Sequence, residues 1–190
     1  MKWLFFSYSL PTEPSKARVY VWRRLKKLGA VNFQSAWVLP YSNEYVAELK
    51  KLIGDIRGHK GESLLVEGKA LDKDQENLIA SAFQGARDEE YGELIEKCED
   101  YFKEIDFEIE RQNFIFAEVE ENEEELEKLK QWLKKIDNRV VAGATLRKTA
   151  LAKIKECEKR FDEFAKVVFL HSQGKGDMSG PKKTKEQEKS

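Results

Sequence analysis

The sequence predicts an α+β protein in which a small sheet domain precedes a helical one. Three observations carry this reading. The first 71 residues alternate short aromatic or β-branched runs with two amphipathic helical segments. Beyond Leu71 every long stretch keeps helical spacing. The charge changes in step: residues 1–71 hold twelve Lys or Arg against six Asp or Glu, 72–140 hold ten against twenty-two, and 141–190 hold twelve against seven. A net charge of −1 therefore hides a basic head and an acidic middle. With 190 residues, 41% of them hydrophobic, the chain has material for a real core, which excludes wholesale disorder. Its charged fraction of 36% points to long solvated helical faces.

Residues 2–10 are dense in aromatics and end at Pro11, the profile of a strand buried on both faces. Glu13, Pro14 and Ser15 open a first helix, with Val21, Trp22, Leu25 and Leu28 as its apolar stripe and Gly29 as its stop. Residues 30–39 read as extended, with Gln34 and Ser35 as the turn of a hairpin, and Pro40 ends them. Asn43 caps a second helix through about Arg57, with Tyr45, Val46, Leu49, Leu52, Ile53 and Ile56 inward and Gly58 and Gly61 ending it. Ser63–Glu67 makes the last strand. Right-handed crossovers then give a ferredoxin-like sheet with both helices on one face.

After Leu71, Asp72 or Asp74 caps a helix running to about Gln112, with a break expected near Gly85. Two more helices are expected over about 122–138 and 146–170. Each has a one-sided stripe, so an antiparallel hairpin or three-helix domain follows. The domains are thus read as 1–71 and 72–170, with 171–190 a basic, disordered tail.

Two cysteines exclude a disulfide scaffold, and both Cys98 and Cys157 sit in helical apolar stripes, where buried thiols are expected. With two histidines and no paired-ligand spacing, no metal site is expected, and no cofactor. The apolar opening is cut by Ser7, Ser9 and Pro11, which argues against a signal peptide; no stretch reaches membrane-spanning length, so a cytoplasmic protein without membrane contact is expected. No nucleophile elbow, phosphate loop or Ser–His–acid set points to an enzyme.

Two constellations carry candidate binding chemistry. Lys16, Arg23, Arg24, Lys26 and Lys27 crowd the polar face of the first helix, where they can neutralise phosphates; the bland alternative is an ordinary solvated face, or one paired with the acidic middle. Arg18 stands one turn before the apolar stripe, its stem suited to lie along it. In the acidic middle, Asp88, Glu89, Glu90, Glu93, Glu96, Asp100 and Glu104 form helical rows that favour solubility and the helix dipole rather than a metal. Arg87, Asp88 and Tyr91 share one helix near the expected domain junction, where a buried ion pair can lock the domains.

The segments Trp3–Pro11, Ala17-Arg18, Trp22–Lys26, Leu28–Ala30 and Trp37–Pro40, followed by Ala86–Tyr91, Asn113–Glu118 and the Glu-rich run into Trp132-Leu133, together resemble the N-terminal domain of the chromate resistance protein ChrB family over about residues 1–170. The resemblance implies a chromate-responsive regulator whose full-length members carry a further C-terminal domain, where this chain ends in a tail. It makes DNA or a small oxyanion such as chromate the expected partner, with Lys16, Arg23, Arg24, Lys26 and Lys27 on phosphate and Arg18 with Arg87 on oxyanion. More faintly, the first 70 residues resemble the ferredoxin-like module of phenylacetate-type repressors and of the small CRISPR adaptation nuclease. That nuclease's strand-end Asp is replaced here by the Ser7-Tyr8-Ser9 stretch, and the repressors' winged helix has no counterpart, so DNA contact would fall to the basic helix. The alternative expectation is a non-catalytic interaction module, dimerising through its sheet edge.

Overall fold

A computed structural model describes residues 1–13, 15–139 and 143–176. Its elements are β1 (Trp3–Ser9), α1 (Ser15–Leu28), β2 (Val31–Phe33), β3 (Ala36–Pro40), α2 (Asn43–Gly58), β4 (Glu62–Gly68), α3 (Lys73–Glu110), α4 (Phe116–Asp137) and α5 (Arg147–Gly176). The α+β, ferredoxin-like expectation holds. The four strands form one antiparallel sheet in the order β2-β3-β1-β4.

Side chains of β1 alternate between two cores. Leu4 and Phe6 join Val21 and Leu25 of α1, Leu49, Leu52 and Ile56 of α2, and Trp37 and Leu39 of β3. Trp3 joins Val31, Val38, Ile79 and Phe83, with Phe5 and Phe33 partly buried beside them. The first half of α3 thus covers the sheet face opposite α1 and α2. This moves the expected boundary: one compact unit comprises Met1–Tyr91 with Lys135–Arg147, and the other Gly92–Lys134 with the chain from Lys148. The boundary at residue 71 followed composition, whereas apolar packing carries the first unit through Tyr91.

Several local expectations are corrected. Trp22 is 48% exposed, because the buried stripe of α1 is Ala17, Val21 and Leu25, spaced by four, and Trp22 stands about a hundred degrees away. Ser42, not Asn43, caps α2: its Oγ accepts from the Tyr45 amide at 3.0 Å. Asp72 caps α3, accepting from the Gln75 amide at 2.8 Å, and the helix runs through Gly85 without a break. Gln34 turns the hairpin at a φ of +56°. α5 continues through Gly176, six residues into the expected tail; residues 177–190 lie outside the described residues.

α4 runs antiparallel to α3, with the Tyr91 hydroxyl on Asp137 and the Tyr101 hydroxyl on the Asn122 carbonyl, and α5 runs parallel to α3, with Lys153 on Glu99 and Arg160 on Asp106. The core of this three-helix arrangement includes Leu94, Cys98, Ile105, Leu129, Leu133, Ile154, Cys157 and Phe164. The buried thiols are those expected. No helix among the described residues is long and apolar enough to cross a membrane.

Two glycines give a matched test of backbone roles. Gly29 ends α1 at a φ of +79°, and a Cβ there would stand 2.9 Å from Cδ of Arg139. Gly54 lies inside α2, and a methyl group at its Cα would meet nothing within 4 Å. Gly29→Ala is expected to cost about 1–2 kcal/mol and Gly54→Ala to gain about 0.5–1 kcal/mol, measured as shifts of the urea midpoint.

Candidate functional site

The polar face of α1 forms from spacing alone. With Ala17, Val21 and Leu25 inward, Lys16, Arg23, Lys26 and Lys27 fall on the exposed side, and all four are exposed. Arg24 leans the other way and meets Glu48 of α2 at 3.0 Å, while the Tyr20 hydroxyl donates to Asp55 at 2.8 Å. The partner of Arg24 therefore comes from α2, not from the acidic middle. Among the described residues, Lys16, Arg23, Lys26 and Lys27 make no ion pair. Arg18 bends back to donate from Nη2 to the Thr12 carbonyl at 2.8 Å.

A second constellation gathers on α3. Arg87 is only 2% exposed. Its Nη2 meets Glu90 at 3.1 Å, one helical turn on, whereas Nε and Nη1 have no hydrogen-bond partner among the described residues. Burial lowers the pKa of this guanidinium, and the Glu90 carboxylate opposes that shift. The other oxygen of Glu90 takes Nη2 of Arg139, whose Nε donates to the Lys135 carbonyl at 2.9 Å and whose Nη1 reaches the Lys26 carbonyl at 3.4 Å. Arg139 thus serves the C-terminal carbonyls of α1 and α4 together, which suits a cation at both dipole ends. Asp88 accepts from the Thr145 hydroxyl at 2.7 Å and the Leu146 amide at 2.9 Å, capping the entry to α5.

Asp137 completes the cluster. It takes both ends of the Arg147 fork, at 2.9 and 2.8 Å, and the hydroxyl of the fully buried Tyr91. Burial alone would raise its pKa, but the bonds from Arg147 and Tyr91 win and hold it below the usual carboxylate range. Burial and the bond to Asp137 push the Tyr91 phenol up.

The ion pair expected to lock two domains is instead a pair within α3 and the first unit, between buried Arg87 and half-buried Glu90. Arg87 and Arg18 share no partner: Arg18 touches the Thr12 carbonyl, while Arg87 answers to Glu90 and Arg139. Asp88 and Tyr91 were legible from their place beside Arg87 on one helix, and Glu90 from its i, i+3 spacing to Arg87. Arg139, Asp137, Arg147 and Thr145 had no such signal, because they come from more than 45 positions away.

The family model described as Protein ChrB, N-terminal, matches residues 18–175. The chain belongs to the ChrB N-terminal family. The match contains the α1 face from Arg18 onward, the Arg87 cluster and the whole of α4. A curated relative, Protein ChrB of Cupriavidus metallidurans, is 35% identical over 92 residues. That alignment takes in 48% of this chain and 28% of the relative, so the chain spans well under a third of the protein it matches. No solved structure matches. The family resemblance read from the residues is confirmed, and its Asn113–Glu118 segment forms the turn into α4, where Asn113 Nδ2 donates to Glu108 and Glu118.

Asp137→Asn is expected to cost about 1–2 kcal/mol at neutral pH. The folded pKa lies below the unfolded one, so the carboxylate's contribution is full above the unfolded value of about 4 and fades as pH falls through the folded value. Urea titrations at several pH values should show wild type and variant converging in acid, not at neutrality.

Proposed function

We propose that this chain is the N-terminal module of a non-catalytic, chromate-resistance-associated regulator that contacts nucleic-acid phosphate through α1. The observation that carries this is the set of exposed cations Lys16, Arg23, Lys26 and Lys27, none held by a carboxylate among the described residues. Exposed cations displace condensed counterions from a phosphate chain, and that release drives binding. Trp22, 48% exposed on the same helix, offers a surface on which a base or sugar packs. Arg24, committed to Glu48, is the least available of the five cations read from sequence.

A second reading rests on Arg87. Nε and Nη1 of this buried guanidinium are uncommitted and lie on different edges, so a tetrahedral dianion such as chromate would take one of them together with the second hydrogen of Nη2, whose first is held by Glu90. Arg18 takes no part in this reading.

Replacing Lys16, Arg23, Lys26 and Lys27 with Gln is expected to leave the melting temperature near wild type, since exposed substitutions rarely matter. The same change should lower the salt slope of duplex-DNA binding by about three to four, measured by fluorescence anisotropy across a salt series. Unchanged DNA binding would sink the phosphate reading. Flow-through of wild type on heparin at low salt would leave an interaction module using its sheet edge.

For the oxyanion, titration calorimetry with chromate and with sulfate is expected to give heat with wild type and Arg18→Gln but none with Arg87→Gln. Arg87→Lys keeps the charge and loses the fork, so it should bind at least about tenfold more weakly. Equal heats from Arg87→Lys and wild type would remove Arg87 from the site.

A further inference from the structure

Strand β4 is one edge of the sheet and β2 the other. A free edge is a row of unpaired N–H and C=O groups, and proteins blunt it with short length, lysine, proline or a bulge. β2 is blunted by length, with three residues. β4 carries none of these devices. It has seven residues, Glu62–Gly68, with neither lysine nor proline, and its register against β1 runs unbroken from end to end. Its centre is apolar, and burial divides it by face. Leu65 turns toward the core beneath α1 and α2. Leu64 and Val66, opposite Ser7 and Phe5 on the other face, are 60% and 43% exposed. The first half of α3 covers Trp3, Val31 and Val38 on that face and leaves these two in water.

We propose that β4 is a homodimer edge, through which two copies pair antiparallel about a dyad at Leu65 and join their sheets into one. The register follows from geometry. Residues directly opposite in an antiparallel pair share a face, so a dyad normal to the sheet passes through a residue and its copy, never between residues. Centring on Leu65 pairs the whole strand: Leu64 with Val66 of the second copy, Ser63 with Glu67, and Glu62 with Gly68. Centring on Leu64 leaves Glu67 and Gly68 without partners and sets Glu62 against Val66. Centring on Val66 leaves Glu62 and Ser63 without partners and sets Leu65 against Glu67. The Leu65 register alone sets Leu64 against Val66 at both crossings, and it opposes no carboxylate to another. Charge agrees with it. Ser63 and Glu67 share the face that α2 covers, where Arg57 of α2 lines one recess with Ser63 and makes no ion pair among the described residues. Glu67 of the second copy, opposite Ser63, brings a carboxylate to that recess. Both copies then carry α1 and α2 on the same side of the joined sheet.

The test is sedimentation equilibrium of the full chain across a micromolar concentration series, without DNA, so the outcome is separate from that of the α1 cations. Wild type should give the mass of two chains. Leu64→Glu combined with Val66→Glu sets carboxylate against carboxylate at both crossings and should weaken association at least about tenfold. Leu64→Lys combined with Val66→Glu sets lysine against glutamate at both crossings, and should associate at least about tenfold more tightly than the double-glutamate variant. Centred on Leu64 or Val66, the same change would oppose lysine to lysine or glutamate to glutamate. Both positions are exposed, so circular dichroism melts of the variants should stay near wild type. A single-chain mass for wild type would overturn the proposal, as would a double-glutamate variant that stays dimeric. A lysine–glutamate variant no tighter than the double-glutamate one would overturn the register and the proposal with it.

Discussion

Strand β1 is the element on which the first unit depends. It pairs with β3 on one side and β4 on the other, so none of its backbone edges serves as a sheet edge. Its side chains are divided between two cores: Leu4 and Phe6 lie under α1 and α2, and Trp3 stacks on Phe83 of α3 at 5.4 Å between ring centroids. A strand buried on both faces tolerates no register slip, since a shift of one residue would exchange the two sets of large side chains. This is why α3 enters the first unit despite its composition. Its Ile79, Phe83, Ala82 and Ala86 supply the layer without which Trp3, Val31 and Val38 would face water.

How much could be read beforehand follows from the range of each interaction. The run Trp3–Ser9 announces itself because burial on both faces removes the polar alternation of an ordinary strand. Gly29 announces itself because a left-handed helix end selects glycine. Trp22 misleads because its size suggests the core, while the period of the helix assigns that place to Val21 and Leu25. The boundary after Leu71 misleads for the same reason in reverse, since charge follows the solvated side of a helix and packing follows the other. The Arg87 cluster was half legible: Arg87 and Glu90 share a helix turn, but Arg139 and Asp137 arrive through tertiary folding, which local spacing does not encode.

The acidic middle takes on a structural meaning. Asp88 caps α5, Glu90 holds two guanidinium groups, and Asp137 holds a fork and a phenol. Others, such as Asp100 between Lys97 and Lys103, form exposed pairs along one helix, which contribute little and depend on salt. Glu99 and Asp106 pair with Lys153 and Arg160 of α5, buried Glu108 holds Asn113, and the remainder keep the long helices solvated. The cations of α1 stand apart from this scheme. Lys16, Arg23, Lys26 and Lys27 lie in the basic head, whose near carboxylates, Glu48 and Asp55, are taken by Arg24 and Tyr20.

A buried arginine is costly unless its charge and its donors are matched, and an apolar residue of similar size often packs as well or better. Glu90 answers the charge of Arg87 but is shared with Arg139, so the pair of cations has one close carboxylate between them. Removing Glu90 would leave two guanidinium groups close together, which is why the shared carboxylate rather than either arginine is the keystone of the cluster. Arg139 in turn packs on Gly29, where any Cβ would collide with its stem, so the end of α1 and the guanidinium cluster are tied to a single backbone conformation. The helix that presents the exposed cations therefore ends on the residue that helps hold the buried one. The contacts that link Glu90 to the C-terminal turn of α1 run through Arg139 and the Lys26 carbonyl, not through the sheet.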